Sequence, residues 1–136
     1  FLQITFGAFT SGLDAGKVYQ TWPLMNENFF PDDLSNNKLV FSGVLNEPSF
    51  VQFIHRNLAY IIFIYVLIMS FVIFTKKIVK MYKSTFYLLA MIFVQLVLGI
   101  FTLLSGAYIW IASLHQISTV LLLLSSMYFY YNSIKT

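Results

Sequence analysis

Two histidines are the residues of this chain best suited to chemistry. His55 lies in the run Val-Gln-Phe-Ile-His-Arg, His115 lies in Ser-Leu-His-Gln, and the sequence contains no third histidine. Each lies a few residues inside a long apolar run. An ionisable or metal-ligating side chain is costly inside a membrane span, so each is a functional candidate by default. Two imidazoles at one depth could hold a metal cofactor between two helices.

The composition is that of a membrane protein. The 136 residues are 59% hydrophobic, 19% aromatic and 10% charged, whereas about a quarter of the residues of a soluble domain are charged. The chain has no cysteine, which excludes disulfides, thiolate metal sites and cysteine nucleophiles. The net charge of +3 does not indicate nucleic-acid binding, because the basic residues are few and flank apolar runs.

Four apolar segments predict membrane helices, because lipid offers no partner for free backbone amides. Three are long enough to span, and the first is the end of a helix whose beginning we expect to lie before Phe1, in a longer protein. We therefore predict an all-α integral membrane four-helix bundle with a truncated first helix. The predicted helices are residues 1–10, 50–75, 85–104 and 108–131, with connections at 11–49, 76–84 and 105–107 and a tail at 132–136.

Charge predicts the orientation of these helices. The 76–84 connection holds four lysines and no acid, and Lys135 follows the last helix, while all five acids lie in the 11–49 segment. The positive-inside rule places the lysine connection and the tail in the cytoplasm or matrix. The 11–49 segment, in which we expect short helices over the mouth of the bundle, and the 105–107 turn then face the periplasm or intermembrane space.

This topology places the two histidines at matching depth. Both histidine-bearing helices enter from the outer side, so His55 and His115 each lie roughly 8–11 Å along their helices, in the outer leaflet. A short internal repeat supports the pairing. The pattern Gln-x-x-x-Gly-x-Phe-Thr occurs at 3–10 and again at 95–102, and in each copy the next helix carries the histidine, as expected for pseudo-symmetric helix pairs.

The candidate cofactor is haem. Two neutral imidazoles can occupy both axial positions of its iron, and a bundle core offers an apolar slot, whereas a zinc site would need further ligands. The alternative is that His55 and His115 are interfacial residues bonded to backbone or water. Arg56 is a candidate partner for a haem propionate or an arginine that reaches headgroups or an acid of the outer segment. Gln116 is a candidate contact to the haem edge or a residue that orients a ligand, although interhelical hydrogen bonding is the simpler role.

These residues together resemble a known family. The segment Gly-Ala-Phe-Thr-Ser-Gly-Leu-Asp-Ala-Gly at 7–16, then Tyr-Gln-Thr-Trp-Pro-Leu-Met at 19–25, is similar to the signature that opens the second half of haem A synthase, in its mitochondrial and alphaproteobacterial branch. The Val-Gln-Phe-x-His-Arg motif around His55, the 95–104 segment and Leu-His-Gln at 114–116 resemble the same family. The resemblance covers essentially the whole chain.

The resemblance implies an eight-span protein of two similar four-helix halves, each with a histidine pair that can bind haem. It implies an enzyme that oxidises the C8 methyl of haem O to a formyl group, giving haem A for cytochrome c oxidase. This chain would be the C-terminal half, with His55 and His115 as axial ligands of a b-type haem and no catalytic residue of its own. The substrate haem would belong to the N-terminal half, so the resemblance implies that this chain alone lacks the catalytic half.

The resemblance also implies partners and a location. The partners are a lipid bilayer and haem O, which is the substrate of the full protein. Haem O synthase and an electron donor are further candidate partners, and a homo-oligomer is possible. The chain would be a multi-pass protein of the bacterial or mitochondrial inner membrane. Two other classes remain: a cytochrome b-type subunit that only transfers electrons, and a transporter or channel piece in which the histidines relay protons.

Overall fold

The structure of the protein is a computed structural model that describes residues 1–33 and 45–135. Four α-helices make up most of it, and the described residues form no β-strand longer than an isolated bridge. Short 3-10 helices lie at Ala15–Lys17 and Val79–Met81. The α-helices are α1 (Leu2–Gly12), α2 (Pro48–Thr75), α3 (Tyr82–Leu104) and α4 (Ile109–Ile134).

The predicted fold class, an all-α membrane bundle, is confirmed. Three helical segments are long and apolar enough to cross a bilayer: Pro48–Thr75, Val79–Leu104 and Ile109–Ile134. Large apolar side chains on α2 point away from the protein, and they recur at helical spacing, as expected of a face that contacts lipid. These side chains are Ile61, Ile64, Ile68 and Phe71, each more than half exposed.

Short connections set the order of the helices. Helix α1 packs against α2, α2 against α3, and α3 against α4 along most of its length. Because α2–α3 and α3–α4 are joined by a few residues, α2 and α4 run in the same direction. A proline at the start of α2 suits the first turn, where its missing amide has no intrahelical partner to lose.

An apolar cluster packs α2, α3 and α4 together in the half of the bundle nearer the 76–84 connection. Val66, Leu88 and Ile92 are buried there, and partly buried side chains of α2, α3 and α4 surround them. All three also line a cavity between the helices, together with most of the side chains that surround them. The apolar cluster therefore forms part of the wall of this cavity.

The outer segment and the α3–α4 turn lie at the same end of the bundle. Gly106 has φ 65, and a Cβ added there would lie 3.1 Å from Gln20 Oε1, so both the conformation and the close approach favour glycine. Beyond the 3-10 helix Ala15–Lys17, the described part of the segment between α1 and α2 consists of turns, bends and irregular backbone with one isolated bridge between Met25 and Asn28. Residues 34–44 of that segment lie outside the described residues.

A set of hydrogen bonds fastens the outer segment to the start of α2. The Tyr19 hydroxyl donates to Asp33 Oδ1 at 2.9 Å and accepts from the Asp32 amide at 3.0 Å. Ser49 Oγ also donates to the Asp33 carboxylate, and Gln52 Nε2 donates to the Tyr19 carbonyl at 2.9 Å. Burial, with the hydrogen bond to Asp33, raises the pKa of Tyr19, so its hydroxyl stays protonated as the donor.

Candidate functional site

A large cavity lies between the four helices and brings the two histidines together. Its volume is about 970 Å³, and both His55 and His115 line it. Aliphatic and aromatic side chains make up most of the wall, with a smaller set of polar groups. Ligand pockets are concave, mostly apolar and of about 300–1,000 Å³, so this cavity has the size and lining of a site for a large ligand.

His55 is held by the helix before it. Gln3 Nε2 donates to the His55 carbonyl oxygen at 3.1 Å and lies 3.2 Å from His55 Nδ1. One turn further along α1, Gly7 faces the ring, since a Cβ there would lie 3.2 Å from His55 Cε1. The missing side chain at Gly7 therefore gives the imidazole its place against α1.

His115 is held in the same way by α3. Gln95 Nε2 donates to the His115 carbonyl oxygen at 3.0 Å, and a Cβ at Gly99 would lie 3.1 Å from His115 Cε1. The two copies of Gln-x-x-x-Gly thus make equivalent contacts to the two histidines. Thr10 and Thr102, the last residues of the copies, also bond equivalent carbonyls within their own helices, each at 2.8 Å.

Arg56 lines the cavity and is held by the segment that joins α1 to α2. Its Nη2 donates to the carbonyl oxygens of Thr21, Pro23 and Leu24 at 3.0, 2.9 and 3.2 Å. Its Nη1 is buried without a hydrogen-bond partner. Of the two predicted roles, the structure thus leaves one charged donor of Arg56 free to meet an anionic group in the cavity it lines.

Gln116 also lines the cavity, and its contact is weaker. Its Nε2 donates to Ser11 Oγ at 3.4 Å, between α4 and α1. This is the interhelical hydrogen bond expected of a polar residue in a span. The four predicted site residues, His55, Arg56, His115 and Gln116, are thus gathered around one cavity.

Unsatisfied polar atoms are concentrated at this cavity. Within the described ranges, five buried side-chain atoms lack a hydrogen-bond partner, and all five belong to residues that line it. A buried polar atom without a partner is destabilising by about 1–3 kcal/mol, so such a group in one place indicates a bound polar partner. The atoms are Gln3 Oε1, Gln52 Oε1, Arg56 Nη1, Tyr60 OH and His115 Nδ1.

Sequence reasoning missed Tyr60 as a site residue. Its hydroxyl is one of the five unpartnered atoms. The signal was present, because Gln52, Arg56 and Tyr60 are spaced by four residues and so share one face of α2. In an otherwise apolar helix, such a polar stripe predicts a face turned toward a cavity.

The acids of the described residues form no metal-binding cluster with the histidines. No group of three or more His, Cys, Asp or Glu residues is close enough to hold a metal ion anywhere in residues 1–33 and 45–135. Two imidazoles without such a cluster among the described residues suit a metal whose remaining ligands come from a cofactor.

Comparison with known proteins identifies the family of this chain. The family model described as cytochrome oxidase assembly protein matches residues 1–127. The chain belongs to this family. Proteins named haem A synthase also resemble the chain over nine tenths or more of its length, which confirms the resemblance found in the sequence motifs. No solved structure matches the chain.

Three curated relatives, each named haem A synthase, show the extent of the similarity. The Pelagibacter ubique protein is 44% identical over 124 residues, which is 91% of this chain and 36% of the relative. The Rickettsia felis protein is 37% identical over 136 residues, or 100% of this chain and 40% of the relative. The Bartonella quintana protein is 42% identical over 117 residues, or 85% and 32%. The chain thus spans about a third to two fifths of the length of these relatives.

Proposed function

We propose that this chain is the haem-binding C-terminal half of a haem A synthase and that His55 and His115 ligate a b-type haem. The observation that carries the proposal is the pair of equivalent sites: two histidines on parallel helices line one cavity, each backed by a glycine and tied by a glutamine. Relatives named haem A synthase support the chemistry assigned to that cavity.

The residues present fit such a group. The glycines leave room for each imidazole beside the helix that precedes it, the apolar wall suits a tetrapyrrole ring, and the unpartnered Arg56 Nη1 suits a propionate. Gln116 lies on the same cavity and would contact the edge of the ring. When bound, the haem supplies electron-transfer chemistry, while the protein supplies ligation, exclusion of water and charge for the propionates.

We propose for the whole protein the activity in the name of its relatives. It would oxidise the C8 methyl of haem O to a formyl group and deliver haem A for cytochrome c oxidase, in the bacterial or mitochondrial inner membrane. Haem O synthase and an electron donor would be its partners. This chain would contribute the accessory haem, held by His55 and His115 in the cavity that both line.

The test is the optical spectrum of the purified chain. The protein is produced with ample haem, solubilised in detergent and compared with His55→Ala and His115→Ala. We expect a six-coordinate low-spin spectrum for the unchanged chain, and its loss in each variant, because each substitution removes one axial ligand.

A matched control separates ligation from folding. Ser125→Ala removes an exposed hydroxyl of α4 that bonds only the Leu121 carbonyl, so it should leave the spectrum unchanged. Helix content by circular dichroism should be the same in all variants. A low-spin spectrum that survives either histidine substitution would contradict the assignment of that residue, and no Soret band in the unchanged chain would contradict haem binding.

A further inference from the structure

The two glutamines of the repeat differ in what they do with the imidazole. Both donate from Nε2 to the backbone carbonyl of a histidine. Gln3 Nε2 in addition lies 3.2 Å from His55 Nδ1, whereas His115 Nδ1 is buried with no hydrogen-bond partner among the described residues. One glutamine therefore reaches the ring and the other does not.

The residues that follow each histidine explain the difference. Ser118 and Thr119 lie three and four positions after His115, and both hydrogen-bond to the side-chain amide of Gln95. Ser118 Oγ donates to Gln95 Oε1 at 2.5 Å, and Gln95 Nε2 donates to Thr119 Oγ1 at 2.7 Å. The corresponding positions after His55 are Leu58 and Ala59, which have no side-chain polar atoms. The Gln3 amide has no such partner, and its Oε1 is left buried and unpaired.

This geometry matters for a metal-binding imidazole. A neutral imidazole that gives the lone pair of Nε2 to a metal carries its proton on Nδ1, and that proton needs an acceptor that fixes the ring and its tautomer. The Gln3 amide is the group beside His55 Nδ1. Half a turn of the Gln3 amide would place Oε1 beside Nδ1, because the oxygen and nitrogen ends have nearly the same shape. The turn exchanges the Nε2 hydrogen bond to the His55 carbonyl for a hydrogen bond from the ring.

We propose that Gln3 is a positioning residue for His55: its amide oxygen accepts the Nδ1–H when Nε2 of His55 binds the metal, while Gln95 supports only the backbone of His115. The proposal rests on the proposed haem ligation and deepens it. The two axial histidines are then unequal, and Gln3 tunes the electron-donating strength of one of them.

The experiment compares matched substitutions in the two copies: Gln3→Leu and Gln3→Glu with Gln95→Leu and Gln95→Glu. Each variant is purified with haem and measured by redox titration and by electron paramagnetic resonance of the ferric low-spin form. A stronger acceptor makes the imidazole a better donor and favours ferric iron. The midpoint potential should therefore rise in the order Gln3→Glu, unchanged chain, Gln3→Leu, with parallel shifts in the g values.

The Gln95 variants should show no such order, because Gln95 does not reach the ring. Haem dissociation should also be faster in Gln3→Leu than in Gln95→Leu, by about tenfold, the usual effect of removing the partner of a metal-bound histidine. If Gln3→Glu does not fold, the comparison of the two leucine variants decides alone.

Equal shifts in the Gln3 and Gln95 series would overturn the proposal, and so would a Gln3→Leu variant with the potential and g values of the unchanged chain. Both results would leave a normal low-spin spectrum and hence the proposed haem ligation intact. A chain with no low-spin spectrum at all would instead contradict the ligation itself, and the role of Gln3 with it.

Discussion

The sites around His55 and His115 share the same contacts from the preceding helix but differ in the side chains that surround each histidine. In both, a glutamine holds the histidine carbonyl, and a glycine one turn later leaves room for the ring. The sites differ beyond these contacts. Arg56 follows the first histidine and is bonded to three loop carbonyls, whereas Gln116 follows the second and makes one long hydrogen bond.

The comparison separates two layers of the site. The backbone layer, in which one helix holds the next at a fixed depth, is the same in both copies because it depends on the Gln-x-x-x-Gly spacing. The side-chain layer depends on neighbours that the repeat does not include, such as Ser118 and Thr119 against Leu58 and Ala59. Pseudo-symmetric helix pairs can therefore keep equivalent ligand positions while giving each ligand its own surroundings.

The largest effect is expected from filling the glycine sites. Gly7→Leu and Gly99→Leu should each abolish stoichiometric haem binding, because even a Cβ meets the ring at 3.2 and 3.1 Å. Alanine should weaken binding more at Gly99 than at Gly7, since an added Cβ at Gly99 lies within 4 Å of three ring atoms and at Gly7 of two. The measurement is haem content per chain by pyridine haemochrome.

Gly12→Ala is the matched control, because a Cβ at that helical glycine meets nothing within 4 Å. Haem content should stay at the level of the unchanged chain. Full haem content in Gly7→Leu or Gly99→Leu would show that the rings do not lie against the glycines in the loaded protein, and the equivalence of the two sites would be lost.

A smaller effect is expected at the residues that follow the histidines. Arg56→Gln makes the first site like the second and should weaken haem affinity about tenfold, because it removes a buried, charge-assisted contact of about 1.5–3 kcal/mol. Gln116→Ala should change affinity by less than about twofold, since its one hydrogen bond is long. Haem titration of both variants measures the difference. Equal losses would mean that the propionate contact does not involve Arg56.

The smallest effect is expected where the second site alone has hydroxyls. Ser118→Ala removes the one hydroxyl that donates to Gln95 Oε1 or to the His115 carbonyl. It should lower the free energy of unfolding in mixed micelles by about 0.6 kcal/mol, typical of such bonds in membranes. Ser125→Ala is the control. If the free energy of unfolding falls no more than in Ser125→Ala, the Ser118 hydrogen bond does not stabilise Gln95. The difference between the two glutamines would then need another cause.

Much of the fold could be predicted from the sequence. In lipid, the backbone amides and carbonyls of a long apolar run find hydrogen-bond partners within a helix. The number and approximate positions of the helices therefore followed from the apolar runs in the sequence. The orientation, with the lysine connection toward the cytoplasm or matrix, remains a prediction from the positive-inside rule. The meeting of Gln20 with Gly106 shows that the outer segment and the α3–α4 turn share one end of the bundle.

The chemistry-bearing residues were also visible in the sequence. His55 and His115 stood out because polar groups in apolar helices are few and costly, and the repeat paired them with Gln3 and Gln95 before any contact was known. Tyr60 did not stand out, because a tyrosine in a span has many ordinary roles. Its spacing with Gln52 and Arg56 was a signal in the sequence, and the structure adds the unpartnered hydroxyl buried at the cavity.

The sequence by itself determined the class of the protein, its helices and the identity of the paired histidines, because these depend on hydrophobicity, spacing and repetition along the chain. The tertiary structure decided which atoms meet: that glycines back the rings, that Arg56 keeps one free donor, and that Gln3 reaches an imidazole while Gln95 does not. Such contacts depend on side chains from helices far apart in the chain, and differences of a few tenths of an ångström decide them.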